Sequence, residues 1–296
     1  MANAGVQTII EMLGAGTLSE TLTIQQMRAN FNELTAAAPP PEGARLEAID
    51  AGGVPAEWVR PDETRPDHVV LYLHGGGYVL GGPSTHRLLV ARLARACDGQ
   101  GLTVDYRLGP EHPYPAALDD AVSAYRWLLE TGVAPAKIVI AGDSAGGGLT
   151  AATLVALRDA GVTLPAAAVC ISPWTDLTLT APSMTSKAAS DPMVSRETLA
   201  PMAEAYLGGT DPATPLVSPV FAELAGLPPL LIHVGGREVL LDDATRLAER
   251  ARAAGVEVTL EQWDEMIHVW HAFSPIITEA DDAVAKIGTF VRGHWS

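Results

Sequence analysis

Lys137 to Leu149 reads KIVIAGDSAGGGL: an apolar, β-branched run from Ile138 to Ile140, glycines on both sides of one serine, then an alanine-rich helical stretch. That order predicts a strand, a sharp turn and a helix, with Ser144 on the turn. Gly142, Asp143, Ser144, Ala145 and Gly146 spell GxSxG, in which a tight turn lifts a serine hydroxyl above the edge of a sheet. Glycine flanks the serine because a side chain at either place would strike the neighbouring strand or helix. The same residues also fit a plain glycine-rich loop, so the decision passes to the rest of the chain.

On either side of this stretch, strands and helices alternate. Upstream, after Leu73, lie a predicted strand at Gly101 to Asp105 and helices at Ser84 to Ala96 and Ala116 to Leu129. Downstream come a helix at Ala145 to Asp159, strands at Ala167 to Ile171, Pro229 to Val234 and Val256 to Glu261, and helices at Asp242 to Ala253 and Pro275 to Val291. Such alternation implies an α/β fold with a mainly parallel central sheet covered by helices on both faces. Before it, Arg45 to Ile49, Pro55 to Val59 and His68 to Leu73 read as hairpin-linked strands. Two segments stand apart. From Val6 to Leu34 the apolar residues Ile9, Ile10, Met12, Leu13, Leu22, Ile24, Met27, Phe31 and Leu34 recur at helical spacing, up to the break at Pro39, Pro40 and Pro41. Between Trp174 and Leu227 the alternation lapses into a proline-, serine- and threonine-rich interval with a single helix predicted at Arg196 to Leu207, the mark of an inserted lid.

The chain has 296 residues, 48% of them hydrophobic, enough for a large core. Its 19 basic and 35 acidic residues give a net charge of -16, a surface that repels phosphate backbones and anionic lipid, so no nucleic-acid partner and no stable membrane insertion are expected. Cys97 and Cys170 read as reduced, buried thiols. The opening MANAGVQTIIEMLGAG has no basic region and only a broken apolar run, so a cytoplasmic location is expected.

A serine hydroxyl needs a histidine to take its proton, a carboxylate to orient that histidine, and donors for the oxyanion. Downstream of Ser144 stand His233, within a strand and best read as a core imidazole; His294, at the C-terminus; and His268 and His271, in the loop after the last strand. For the acid, the loop GGREVLLDDA offers Glu238, Asp242 and Asp243. The two aspartates sit where a helix begins and are explained as first-turn charges, whereas Glu238 lies nearest the strand end among apolar neighbours and so needs a partner. For the oxyanion donors, the strand VVLYL runs into His74, Gly75, Gly76 and Gly77, whose backbone N–H groups no side chain obstructs.

HGGG at His74 to Gly77, GDSAGG from Gly142 and HVW at His268 to Trp270 together resemble the bacterial hormone-sensitive-lipase-like esterases of the α/β-hydrolase superfamily. So do DYRLGPEHPYPAALDD from Asp105, SPWTDL from Ser172 and DPMVS from Asp191. The resemblance covers nearly the whole chain. It implies a serine carboxylesterase acting on short- to medium-chain acyl esters with no metal or organic cofactor, with amidase or carbamate hydrolase, or a non-catalytic small-molecule receptor on the same fold, as alternatives. Ser144 would be the nucleophile, His268 the base and Glu238 the acid, with Asp242 in reserve. Gly76, Gly77 and Ala145 would supply the oxyanion N–H groups, supported by His74, Gly75 and Asp143. Many members carry aspartate followed by Pro-Leu at the acid; here Glu238 is followed by Val-Leu, and the extra methylene implies a loop set slightly farther back. The resemblance further implies a cap from residues 1–40 and 176–226 over a catalytic domain of 41–175 and 227–296, and a possible homodimer through the last strand or helix. Met27, Phe31, Met202, Tyr206 and Leu207 could line an acyl tunnel or simply pack the cap on the core, and Tyr78 and Trp174 could shape the pocket mouth or simply pack.

Overall fold

The computed structural model describes residues 4–13, 22–36 and 40–295, without the side chains of Leu13, Leu34 and Ala36. Among these residues eight strands form one sheet in the order β1-β2-β4-β3-β5-β6-β7-β8. The hairpin of β1 (Ala44–Asp50) and β2 (Pro55–Pro61) is antiparallel, and β2 runs antiparallel to β4 (Gln100–Val104). From β4 onward every pairing is parallel, through β3 (Val69–Leu73), β5 (Ile138–Asp143), β6 (Ala167–Ile171), β7 (Leu230–Gly235) and β8 (Val258–Trp263).

The central strands are apolar throughout because both faces are covered. Along β3, Val69, Leu71 and Leu73 join one core while Val70 and Tyr72 join the other; along β5, Ile138 and Ile140 part from Val139 and Ala141 in the same way. The first core is closed by α4 (Ala116–Glu130), α5 (Ala145–Asp159) and α8 (Leu241–Ala253), the second by α3 (Pro83–Cys97) and α9 (Glu279–His294). Cys97 and Cys170 are free and buried in them, and burial pushes both thiols up to about 12. β3, read from the sequence with the hairpin strands, instead pairs parallel to β4 and β5. The starts of the last strand and the last helix also differ from expectation. The last strand starts at Val258, since Val256 N–H still closes α8 by donating to Ala251 O at 3.0 Å. The last helix starts at Glu279, where Glu279, Asp281 and Asp282 fill its first turn, rather than at Pro275.

Over the carboxyl ends of the strands lie α1 (Ala4–Leu13), α2 (Ile24–Ala36) and the first part of the segment 176–226, whose last residues run back to the ends of α5 and α8, where Arg158 donates to Glu223 O at 2.6 Å and Arg250 to Ala222 O at 3.2 Å. The join between the two N-terminal helices (14–21) and the predicted break at Pro39 fall outside the described residues. Val6 and Ile9 of α1 pack against Met266, Ile267, Trp270 and Ile277. On α2, Met27 enters the main core, and Arg28 donates to Val79 O and Gly109 O, both at 2.6 Å, while pairing with Glu111 at 2.7 Å. The insertion holds α6 (Ser183–Ser186) and α7 (Arg196–Leu207), the latter capped by Ser195, whose hydroxyl accepts from Thr198 N–H at 3.2 Å. Met202 of α7 lies directly on Gly77, and Tyr206 stacks on Tyr78 with centroids 3.8 Å apart. Met27, Met202, Tyr206, Tyr78 and Trp174 are all buried within the main core cluster; Phe31 and Leu207 are half-buried and pack against it.

Candidate active site

Ser144 stands between β5 and α5 at φ 54° and ψ -122°, a conformation that costs a non-glycine residue about 1–3 kcal/mol. The turn is held by its own backbone. Ser144 N–H donates to Ile171 O at 2.8 Å, and Ser144 O accepts from Gly147, Gly148 and Trp174 N–H at 3.0, 3.1 and 2.9 Å. Gly146 is required by close approach, since a Cβ there would lie 1.9 Å from Leu73 O. α5 begins at Ala145, whose N–H belongs to the first turn of the helix and has no carbonyl of that helix before it to donate to.

Pairing of Leu73 with Gly142 brings the HGGG loop beside this turn. The loop is fixed from below. Asp143 Oδ1 accepts from Gly75 N–H at 3.0 Å and from Tyr72 O–H at 2.6 Å. Burial would raise the Asp143 carboxyl, but the charge and hydrogen bond of His86 with the Tyr72 bond outweigh it and hold it below 3.8. His74 stacks on Tyr106 at 4.1 Å, its Nδ1 lies 2.7 Å from Gly75 O, and Tyr106 O–H donates to His74 O at 2.6 Å. Burial, with the nearby His86 charge, pushes His74 down to about 3, so its ring is neutral and Nδ1–H donates to Gly75 O. Gly76 O closes the loop by accepting from Val79 and Leu80 N–H at 3.1 and 2.8 Å. Among the described residues the N–H groups of Gly76 and Gly77 donate to no other group of the protein.

The other two groups arrive on the loops after β7 and β8, which lie against each other: Gly236 N–H donates to Trp263 O at 2.8 Å and Arg237 N–H to Met266 O at 3.2 Å. His268 Nδ1 is 2.8 Å from Glu238 Oε2, leaving Nε2 as the ring nitrogen free of the acid. Glu238 is fully buried. Burial would lower the His268 imidazole, but the hydrogen bond and charge of Glu238, with the charges of Asp191 and Asp143, outweigh it and hold it above 6.5.

A family model described as the alpha/beta hydrolase fold matches residues 70–272. An acetyl-hydrolase of Streptomyces hygroscopicus is 51% identical over 247 residues, covering 83% of this chain and 82% of that protein. The crystal structure of an esterase from the bacterial hormone-sensitive lipase family superposes with a TM-score of 0.97 at 47% identity over 100% of both chains. EstE5 soaked with p-nitrophenyl butyrate gives 0.95 at 45% identity over 99% of both. The chain is a hormone-sensitive-lipase-like α/β-hydrolase.

Within this α/β-hydrolase the three carboxylates of the acid loop have separate partners. Asp242 Oδ2 accepts from Ser183 N–H at 2.8 Å, and Asp243 Oδ1 from Thr175 and Asp176 N–H, each at 2.8 Å. Both therefore tie α8 to the insertion, and only Glu238 reaches the histidine. His271 turns away from the site, its Nε2 lying 3.1 Å from His233 Nδ1; both rings are buried, and burial lowers both from 6.5, His233 to about 4. Sequence reasoning assigned no role to Ser172 or Asp191. Ser172 Oγ lies 2.7 Å from Glu238 Oε1, and Asp191 Oδ2 accepts from Val239 N–H at 2.9 Å. Both head stretches quoted for the resemblance, SPWTDL and DPMVS, but their partners lie 66 and 48 residues away, beyond any local pattern. Among the described residues no group of three or more His, Cys, Asp or Glu side chains is arranged to hold a metal ion, and no helix is long and apolar enough to cross a membrane.

Proposed function

We propose that this α/β-hydrolase is a serine carboxylesterase that works through an acyl-enzyme. The observation that carries the reading is the buried pair of His268 Nδ1 and Glu238 Oε2 at 2.8 Å, on the loops beside a strained serine turn. Glu238 holds the proton on Nδ1, so Nε2 accepts the proton of Ser144 as its oxygen attacks the ester carbonyl. The negative charge that develops on the carbonyl oxygen is met by the N–H groups of Gly76, Gly77 and Ala145. His268 Nε2–H then protonates the departing alcohol, and water, deprotonated by the same nitrogen, releases the acid through a second such intermediate.

The substrate class is a short- to medium-chain acyl ester. Met202 packed on Gly77 and Tyr206 stacked on Tyr78 support it, because a cap seated this closely leaves little room for a long acyl chain. The relative soaked with a four-carbon acyl ester points the same way. The division into a catalytic domain of 41–175 and 227–296 beneath a cap of 1–40 and 176–226 belongs to this proposal, as does a cytoplasmic location, which the free buried thiols fit.

The test is to measure labelling by an organophosphonate and turnover of p-nitrophenyl esters of increasing acyl length, for the parent and Ser144→Ala. The parent should label at one serine and turn over butyrate faster than palmitate; Ser144→Ala should do neither. A parent that does not label is a binding protein on this fold, and one whose turnover rises steadily to palmitate has a different substrate class.

A further inference from the structure

Four residues around the site have left-handed backbones that their side chains disfavour: Tyr78 at φ 63°, beside the glycine loop, Ser144 at 54°, Ser172 at 45° and Val269 at 49°. Tyr78 packs under the cap helix α7, stacked on Tyr206. Ser144 is the nucleophile. Ser172 and Val269 meet each other. Val269 follows His268, and its N–H donates to Ser172 Oγ at 3.1 Å. An N–H can only donate, so the hydroxyl accepts there and its one proton must go elsewhere. The remaining neighbour is Glu238 Oε1, at 2.7 Å. Ser172 itself is fully buried at the end of β6 and anchored across the sheet by its own N–H, which donates to His233 O at 2.7 Å.

We infer that Ser172 is a positioning residue for the acid–base pair, a single hydroxyl that locks the Glu238 carboxylate and the His268 loop in mutual register. This rests on the assignment of Glu238 and His268 made above. Glu238 Oε1 takes two donors, Ser172 O–H and Gly235 N–H, the latter at 2.5 Å, while among the described residues Oε2 takes only His268 Nδ1–H. Rotating the carboxylate would break three bonds at once, so its plane is set and Oε2 faces the imidazole. The same hydroxyl fixes the peptide after His268, and with it the direction in which Nε2 points. Acid and base therefore cannot drift apart without at least one of them losing its bond to Ser172.

The experiment compares Ser172→Ala, Ser172→Gly and Ser172→Cys, with turnover normalised to the fraction of Ser144 labelled by the organophosphonate. Glycine accepts φ 45° without strain, so that variant removes the hydroxyl and relieves the backbone together. Both Ala and Gly should lower kcat by about ten- to a hundredfold, the rate equivalent of losing a hydrogen bond to a charged group, with KM within about threefold. The downfield proton resonance of His268 Nδ1–H should broaden or vanish in both. Cysteine, a weaker donor of similar reach, should fall between them and the parent. A Gly variant with the parent's normalised kcat and resonance overturns the inference, as does a loss of rate confined to KM. A parent that neither labels nor turns over overturns the functional reading itself; a parent that does both while the variants match it overturns this inference alone.

Discussion

Replacing Glu238 with glutamine keeps the side chain's size and converts one oxygen to a donor, and the contacts around it decide which one. Three donors converge on the carboxylate: Gly235 N–H at 2.5 Å and Ser172 O–H at 2.7 Å on Oε1, and His268 Nδ1–H at 2.8 Å on Oε2. With its NH₂ at the Oε1 position the amide would set hydrogens against two donors, one of them at the shortest of these distances. Each buried group left unpaired costs about 1–3 kcal/mol. The amide therefore places its NH₂ at Oε2 and meets His268, which must offer a lone pair on Nδ1 and carry its proton on Nε2. In that tautomer Nε2 cannot take the proton of Ser144. Turnover should fall by about 10⁴-fold, the scale of an acid-to-amide change in a triad, which is about 5.5 kcal/mol in the barrier. KM should change little, because Glu238 is fully buried behind His268. A second readout follows from the charge: Glu238 opposes the effect of burial on His268 and keeps the imidazole above 6.5, so without it burial prevails and the acid limb of residual kcat/KM moves to lower pH. The assay is steady-state hydrolysis of p-nitrophenyl butyrate across about pH 5–9, with Asp242→Asn and Asp243→Asn as controls. Turnover by Glu238→Gln within tenfold of the parent, or an equal loss in Asp243→Asn, would refute the reasoning.

Two further outcomes are expected. Asp243 is fully buried, and burial lifts its carboxyl from 3.8 to about 8, against the pull of its bonds from Thr175 and Asp176 and despite Arg246 nearby. The folded state thus holds this proton more tightly than the unfolded chain, so its contribution to stability is complete below about pH 4 and is lost as pH rises through about 8, a loss of order 5 kcal/mol. Asp243→Asn, which cannot ionise, should flatten that fall, as urea unfolding at pH 5 and pH 8 will measure; an unchanged difference between the two pH values would count against it. Gly146→Ala places a methyl 1.9 Å from Leu73 O and 2.5 Å from His74 O, both backbone, and should yield little soluble protein or strongly lowered thermal stability in a melting scan.

The knitting of the insertion to the acid loop has a mechanical consequence. Ser183 Oγ donates to Val239 O at 2.6 Å, Ser190 Oγ to Arg237 O at 2.9 Å, and Asp191 accepts from Val239 N–H at 2.9 Å. Those bonds flank Glu238 on both sides, so the segment from Ser183 to Asp191 buttresses the loop that carries Glu238.

What the sequence determined by itself was whatever depends on neighbours along the chain. The turn at Ser144 follows from Gly142 and Gly146, the alternation of apolar runs and helical stretches implies a covered parallel sheet, and the glycines after β3 mark a loop whose N–H groups no side chain obstructs, although the structure commits that of Gly75 to Asp143 and leaves those of Gly76 and Gly77. Such features are legible because strand, turn and helix are set within a few residues. Glu238 could be favoured over Asp242 and Asp243 from its apolar setting, but all three sit within six residues and differ only in what comes to meet them. His268 and Ser172 reach the first, Ser183 the second, and Thr175 and Asp176 the third, each across 30 to 68 residues of chain. The choice among those carboxylates, like the place of Ser172, was made by tertiary structure, because a buried charge is defined by its partners and no local pattern carries them.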